Sequence, residues 1–475
     1  MHQFKKFILI TTCLLASSLT NAETYYVSPN GTAIWTQCAA GAGGGGLITS
    51  NATHCNGKTA VENAIAGDIV YFRSGTYDPA ANPVLSWSST GDSLKYEHLP
   101  WNPSNSGTPT NPITFMAYPG ETSPVFLDNI YGGTIGVVGR DWIIWDGFTG
   151  TIVNYPDNVI VFAYFQGSNN CVFRNGNITG TLQNTAKNSA LIYLLNTNYT
   201  IIENNRLHDM NDDGVAGGSE AVNAAGILNF NSRNMVIKNN DIYNNYLGIW
   251  DKDTEQNNMY YRNHIWGGNT ATTRCHVGIQ INEQEAQFGA PDNARAYQNV
   301  IRNCSIGASV YEDVLANNTP KIYNNVIFYD SGLSGAESGI SISGDSRNAE
   351  IYNNIIDGYS IALQYEAPVS TTVAYSNQNS FFNSASISWR IGFSVTPYTS
   401  LTAWTSATTF DTNSILTNPT FVNAGGTNPA DYKLDTNSPA LGTGRNGVNL
   451  GAYPISTSPS IGSSLVRPKS PLLHP

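Results

Sequence analysis

The chain repeats one short phrase: an asparagine, often doubled, with apolar residues before and after it. It reads Ile202-Glu203-Asn204-Asn205-Arg206-Leu207 and then Ile237-Lys238-Asn239-Asn240-Asp241-Ile242. It thins at Tyr261-Arg262-Asn263-His264-Ile265 and Tyr297-Gln298-Asn299-Val300-Ile301, and is full again over Ile322–Ile327 and Ile351–Ile356. From Asn205 the intervals are 35, 23, 36, 26 and 29 residues, the spacing of stacked repeats. A second phrase recurs in the same coils: Gly226-Ile227, Gly248-Ile249, Gly278-Ile279-Gln280-Ile281, Gly307-Ala308-Ser309-Val310 and Gly339-Ile340-Ser341-Ile342. There apolar and polar positions alternate, the period of a half-buried strand. Asparagine tolerates the left-handed backbone of sharp bends, and stacked asparagine amides can bond along an axis. One phrase predicts a bend and the other a strand. Together they predict a parallel β-solenoid stacked from about Ile113 to Tyr365, with Asn205, Asn240, Asn325 and Asn354 in one bend column.

The flanks fit such a rod. Thr24–Val27 reads as a first strand, and Thr59-Ala60-Val61-Glu62 as a capping box opening a helix to about Ala66. A short helix there can cover the open end of the first coil. Ile69–Phe72, Ile113–Tyr118, Trp142–Trp145 and Cys171–Phe173 read as early strands, and residues 79–110 as a long loop. Ala39–Gly46 is rich in glycine, but no strand-to-helix frame makes it a phosphate loop. The expected division is a leader at 1–22, an N-terminal cap and first coils at 23–112, and the solenoid at 113–400. An irregular cap at 401–455 and a disordered Ser/Pro-rich tail at 456–475 complete it.

Composition narrows the partners. Charged residues make up 12%, about half the usual share. The net charge of −11 becomes −13 when Lys5 and Lys6 leave with the leader. That balance speaks against a nucleic-acid partner, and a polyanionic ligand would need a local basic cluster or a bridging cation. Residues 1–22 carry Lys5-Lys6, the apolar run Phe7–Ala16 and the small-residue end Thr20-Asn21-Ala22, the parts of a secretory signal. The run is too short to span a bilayer, and no later span follows. A secreted or periplasmic protein permits disulfides. Cys38 and Cys55 flank the glycine-rich loop and are expected to pair; Cys275 and Cys304 lie one coil apart, where pairing is open; Cys171 is left free.

Several stretches, taken together, resemble a known superfamily. Thr24–Gly31, the Gly67-Asp68-Ile69-Val70…Gly75-Thr76-Tyr77 segment, the asparagine ladder and the Ser438-Pro439-Ala440…Gly451-Ala452-Tyr453 ending are similar to exported right-handed parallel β-helix proteins. That superfamily includes pectate, alginate and chondroitin lyases. The resemblance implies an all-β, single-stranded right-handed parallel β-helix with a short N-terminal capping helix and an irregular C-terminal cap.

Three clusters could carry chemistry. If Ile249 points inward, Trp250 and Lys252 face out, aligned with Gln280 and Asn282 on the next rung and Ser309 and Tyr311 beyond. Arg262, His264, Arg274 and His276 follow within one coil, a basic patch in an acidic chain. The plain alternative is a solvated turn in which Lys252 pairs with Asp251 and Asp253. The second cluster is His208-Asp209-Met210-Asn211-Asp212-Asp213-Gly214. Asp209, Asp212 and Asp213 could offer oxygens to calcium, and the Asp-Asp-Gly followed by a lysine resembles the calcium-and-lysine arrangement of the family 9 pectate lyases. The third is Glu283 with Glu285, two residues apart like a glycosidase pair, for which a solvated loop is the plainer account. The sequence contains no Gly-x-Ser-x-Gly elbow, P-loop or His-Glu-x-x-His.

The expected function is an exported polysaccharide lyase acting on an acidic, uronate-containing polymer by β-elimination, as a monomer. Lys252 would be the base, and Arg262, Arg274 or calcium would neutralise the uronate carboxylate. Trp250, His264, His276, Gln280, Asn282 and Tyr311 would bind sugar. A non-catalytic carbohydrate-binding or surface solenoid is the first rival, because fold alone implies no activity. A glycoside hydrolase using Glu283 or an Asp pair comes after it.

Overall fold

A computed structural model describes residues 22–453 apart from 39–53, 79–98, 100, 128–132, 153–159, 184–187, 213–222, 253–256, 269, 271, 284–292, 313–318, 331, 345–347, 367–372, 383–387 and 393–396. Residues 1–21 of the leader, the glycine-rich loop and the tail thus fall outside the described residues.

Among the described residues the strands form three long sheets of 12, 11 and 10 members and a short pair, Leu182–Gln183 with Asn211–Asp212, and every pairing within them is parallel. The first sheet runs from Thr24–Val27 to Val373–Asn377, the second from Thr76–Tyr77 to Ser380–Phe382, and the third from Gly133–Val138 to Ser388–Ile391. Each full coil visits the third, first and second sheets in turn, which makes a parallel β-helix. Stacking begins well before Ile113, because Thr24–Val27 already pairs with Ile69–Phe72, and that strand with Ile113–Ala117. The inward positions form apolar columns. Ile237, Tyr260 and Ala296 lie in register on the first sheet, Ile242, Ile265 and Ile301 on the second, and Ile249, Ile279 and Ala308 on the third. All are at most 1% exposed, and each large side chain so buried contributes about 1.5–3 kcal/mol.

The asparagine doublet divides two jobs between its members. The first residue takes the left-handed bend: φ is 58° at Asn204, 55° at Asn239 and 53° at Asn324. The second carries the ladder. Asn205 Nδ2 donates to Asn240 Oδ1 at 3.0 Å, Asn240 to Asn263 at 3.0 Å, and Asn263 to Asn299 at 3.1 Å. The chain continues through Asn325, Asn354 and Asn379 and ends on Asp411. The thinned repeats keep the ladder residue and replace only the bend residue, with Arg262 at φ 55° and Gln298 at φ 56°. Asp411 closes the column by also accepting from Ser376, Trp404 and Ser414. Burial pushes its carboxyl up, against the pull of those four donors.

Both ends differ from expectation in detail. The N-terminal helix spans Gly57–Asn63, not Thr59 onward, because Asn56 is its cap and accepts from the Thr59 N–H at 2.8 Å. Within the C-terminal region Leu401–Thr408 is a helix, capped by Ser400, whose Trp404 is buried against the end of the coil. The segment beyond it turns back along the outside of the second sheet. Phe421, Tyr432, Ala440, Leu450 and Ala452 cover the outward column Val300–Val326–Ile355.

Cys38 and Cys55 form a disulfide, as do Cys275 and Cys304, which face each other on adjacent third-sheet rungs. Cys171 is free and buried. No helix among the described residues is long and apolar enough to cross a membrane.

The second sheet also carries a buried acid. Asp357 lies in register between Phe328 and Phe382 and is 9% exposed. Burial pushes its carboxyl up to about 7, against the pull of the Gly358 N–H. The folded state therefore holds this proton more tightly than the unfolded chain, so its contribution to stability is complete below about pH 4 and is lost as pH rises to about 7. Asp357→Asn is expected to raise Tm at pH 8 and change it little at pH 4, read by calorimetry at both. An equal shift at the two values would refute this.

Candidate functional site

The third-sheet strands Ala224–Phe230, Leu247–Lys252, Cys275–Glu283, Cys304–Glu312 and Ser338–Gly344 build one continuous outer face. Glycine sets the direction of their side chains. A Cβ at Gly248 would stand 2.5 Å from Ile265 Cγ2 and 2.4 Å from the Gly278 carbonyl oxygen, so only glycine admits the isoleucine column of the second sheet. Beyond that corner the strand alternates. Ile249 and Asp251 are fully buried; Asp251 accepts from Asn229 Nδ2 at 2.9 Å and from Asn258 Nδ2 at 3.5 Å. Asp251 is thus turned away from Lys252. Asp253 lies outside the described residues.

Trp250 and Lys252 project from the opposite face of the strand. The Lys252 ammonium lies 4.8 Å from the Trp250 ring centre and 5.5 Å from that of Phe230, one rung earlier. Asn282, Tyr311 and Ser343 continue the Lys252 column, and Gln280, Ser309, Ser341 and Gln364 continue that of Trp250. Trp250 is only 5% exposed, which corrects its reading as an open sugar platform. Two polar atoms here have no hydrogen-bond partner although buried, Trp250 Nε1 and Asn282 Oδ1. Phe230 escaped the sequence reading, although it stands four residues after its glycine as Lys252 does after Gly248.

The basic residues do not gather around Lys252. Arg262 sits on the bend between the first and second sheets, where its Nε donates to Gln298 Oε1 at 3.0 Å. Arg274 precedes its strand, eight residues before Asn282, the register partner of Lys252; that is about 26 Å of extended chain. Its guanidinium lies over the Tyr246 ring, on which His276 also stacks, and His276 Nδ1 is 3.9 Å from Glu337. Burial, with Arg274 pushing the same way, holds the His276 imidazole below its usual range against the opposing pull of Glu337. His264 belongs to the second sheet, with Nδ1 3.0 Å from Asp241 Oδ1 and Nε2 buried without a partner. Burial pushes Asp241 up, but the bonds from His264 and Trp266 outweigh it and hold the carboxyl below its usual value. One face therefore unites Trp250, Lys252, Gln280, Asn282 and Tyr311; His276 stands near the start of the same third-sheet strand, four residues before Gln280, while Arg262, Arg274 and His264 lie off that sheet.

Of the calcium candidates, Asp209 has both oxygens engaged. Oδ2 is 2.7 Å from His208 Nδ1, and Oδ1 accepts from Asn244 Nδ2 at 2.9 Å. The Asp212 side chain and the whole of Asp213 lie outside the described residues. Calcium asks for six to eight oxygens, and of the three candidate carboxylates only that of Asp209 belongs to the described residues. Among the described residues no three His, Cys, Asp or Glu side chains gather as metal ligands. The side chain of Glu283 and all of Glu285 are likewise outside them.

No family model matches the chain, and no curated protein matches its sequence. Solved structures do. A rhamnogalacturonan lyase aligns with a TM-score of 0.50 at 15% identity, over 88% of this chain and 96% of its own. A pectate lyase aligns at 0.49 and 16% identity, over 90% and 96%. A surface adhesin of Streptococcus pneumoniae aligns at 0.42 and 13%, over 70% and 87%. At such identities the likeness speaks for architecture alone: the chain is a right-handed parallel β-helix.

Proposed function

We propose that the outer face of the third sheet binds and cleaves an acidic polysaccharide by β-elimination, with Lys252 pairing with the uronate carboxylate. The observation that carries this reading is the ammonium held against two aromatic rings at the head of the column Lys252–Asn282–Tyr311. Ring faces favour the charged amine, which suits Lys252 to neutralise a carboxylate better than to take a proton. The arginines first expected in that role stand elsewhere, so Lys252 takes their part. In the reaction the proton beside the carboxylate leaves. Its electron pair forms the new double bond, and the glycosidic oxygen departs from the β carbon and gains a proton. A fixed cation at the carboxylate stabilises the anionic intermediate. Tyr311, two rungs along the Lys252 column, is the group that this column offers for proton transfer. Calcium has no part in this reading.

A panel of uronate polymers, followed by the absorbance of unsaturated uronate products, tests it. Growth of that absorbance with at least one acidic polymer is the expected result. New reducing ends without it would mean hydrolysis, and binding without either product would mean a carbohydrate-binding solenoid; each overturns the lyase reading.

A further inference from the structure

A concave site lies away from the third-sheet face, where the C-terminal segment crosses the bend between the first and second sheets. This cleft encloses about 610 Å³, within the range of small-ligand pockets. Its walls include Arg262 and Gln298 on the ladder side and Lys433, Leu434, Asn449 and Tyr453 on the C-terminal side. The charge pattern singles it out. The chain has 34 acidic residues against 23 basic ones, yet none of the residues lining the cleft is Asp or Glu. Arg262 and Lys433 are both exposed, and neither forms a salt bridge among the described residues. Arg262 donates its Nε to Gln298 and its guanidinium lies 6.0 Å from the Tyr261 ring centre, while the Lys433 ammonium stands 5.5 Å from that of Tyr453. Two cations, one aromatic ring and amide side chains around one space suit a small ligand that is anionic at one end and a saccharide at the other.

We infer that this cleft binds a uronate sugar, with the carboxylate between Arg262 and Lys433 and the ring against Tyr453 and Leu434. The anionic end rests on the cleft's charges alone. The saccharide end rests on the acidic-polysaccharide reading of the third-sheet face. The cleft would hold a monosaccharide or the end of a chain, at a place separate from the face where the polymer is cut.

The test uses the full-length Lys252→Ala protein, titrated calorimetrically with galacturonate and glucuronate at low salt. The third-sheet cation is then absent, and no turnover obscures the heats. One-site binding is expected for at least one uronate, and it should weaken as salt rises because both cations are exposed. Lys433→Ala and Arg262→Gln should each lower the affinity about three- to tenfold, the worth of one ion pair with a hydrogen bond. Lys433 is an exposed side chain, so its variant stays informative if the bend variant misfolds. No detectable uronate binding, or affinity unchanged in both variants, overturns the site. Glucose binding as tightly as the uronates overturns recognition of the anion, and acetate or inorganic phosphate doing so overturns recognition of the sugar. The unsaturated-product assay on the native protein reads the third-sheet reaction separately, so either proposal can fail without the other.

Discussion

Lys252→Ala is expected to slow formation of unsaturated product by about 10²–10³-fold, the usual cost of removing one preorganised charge partner from a developing anion. Stability should change by no more than about 1 kcal/mol, because a partly exposed cation–π contact is worth little more. Lys252→Arg separates the two roles this residue could play. A guanidinium pairs with carboxylates but stays protonated, so the arginine variant should keep a substantial part of the activity if the residue neutralises charge. It should lose nearly all of it if the residue takes the proton. The measurement is the initial rate on the best polymer of the panel, with Tm recorded for each variant. A Lys252→Ala protein of undiminished rate would remove the residue from the reaction. It would also leave the aromatic cage a purely structural feature of the third sheet.

The largest effect on stability is expected inside the asparagine column. Asn299 is fully buried and makes four side-chain bonds: it donates to the Tyr260 carbonyl and Asn325 Oδ1 and accepts from the N–H and Nδ2 of Asn263. Asn299→Asp keeps the shape but removes both donors and brings a carboxylate against two acceptors. It should cost about 3–5 kcal/mol, the usual penalty for buried groups left unpaired. Asn239→Gly is the contrasting change. Asn239 holds the bend at φ 55°, which glycine reaches without strain, so the cost there should stay at about 0.5 kcal/mol. Urea midpoints and amide exchange around the rungs of Asn263 and Asn325 provide the readout, since each coil leans mainly on its neighbours. Equal losses in the two variants would mean that the doublet does not divide bending from bonding.

The doublet also shows how far a sequence reaches. Its recurrence predicted the bend column, and the alternation after each Gly-Ile predicted the inward and outward faces, because both follow from local geometry repeated at a regular interval. The same logic placed Trp250, Lys252, Gln280, Asn282 and Tyr311 on one face, since side-chain direction in a strand has a period of two. Register alone would also have found Phe230, four residues after its glycine like the others. Local capping rules were enough to find an N-terminal helix, but Asn56 set its start two residues before Thr59.

Other features depended on the path of the whole chain. Arg262 and Arg274 lie close to Lys252 in sequence, yet each coil turns three corners between successive strands of the third sheet. Nearness along the chain therefore becomes separation around the rod. The burial of Trp250, the inward turn of Asp251 and the return of the C-terminal segment over Val300, Val326 and Ile355 likewise arise only when distant stretches meet. By itself the sequence determined the repeat, the inward columns and the parallel β-helix, because these need only short-range bends and pairing between successive coils. Which charges share a surface, and where the chain closes a cleft, was decided by the tertiary structure, because those contacts join residues that no local period relates.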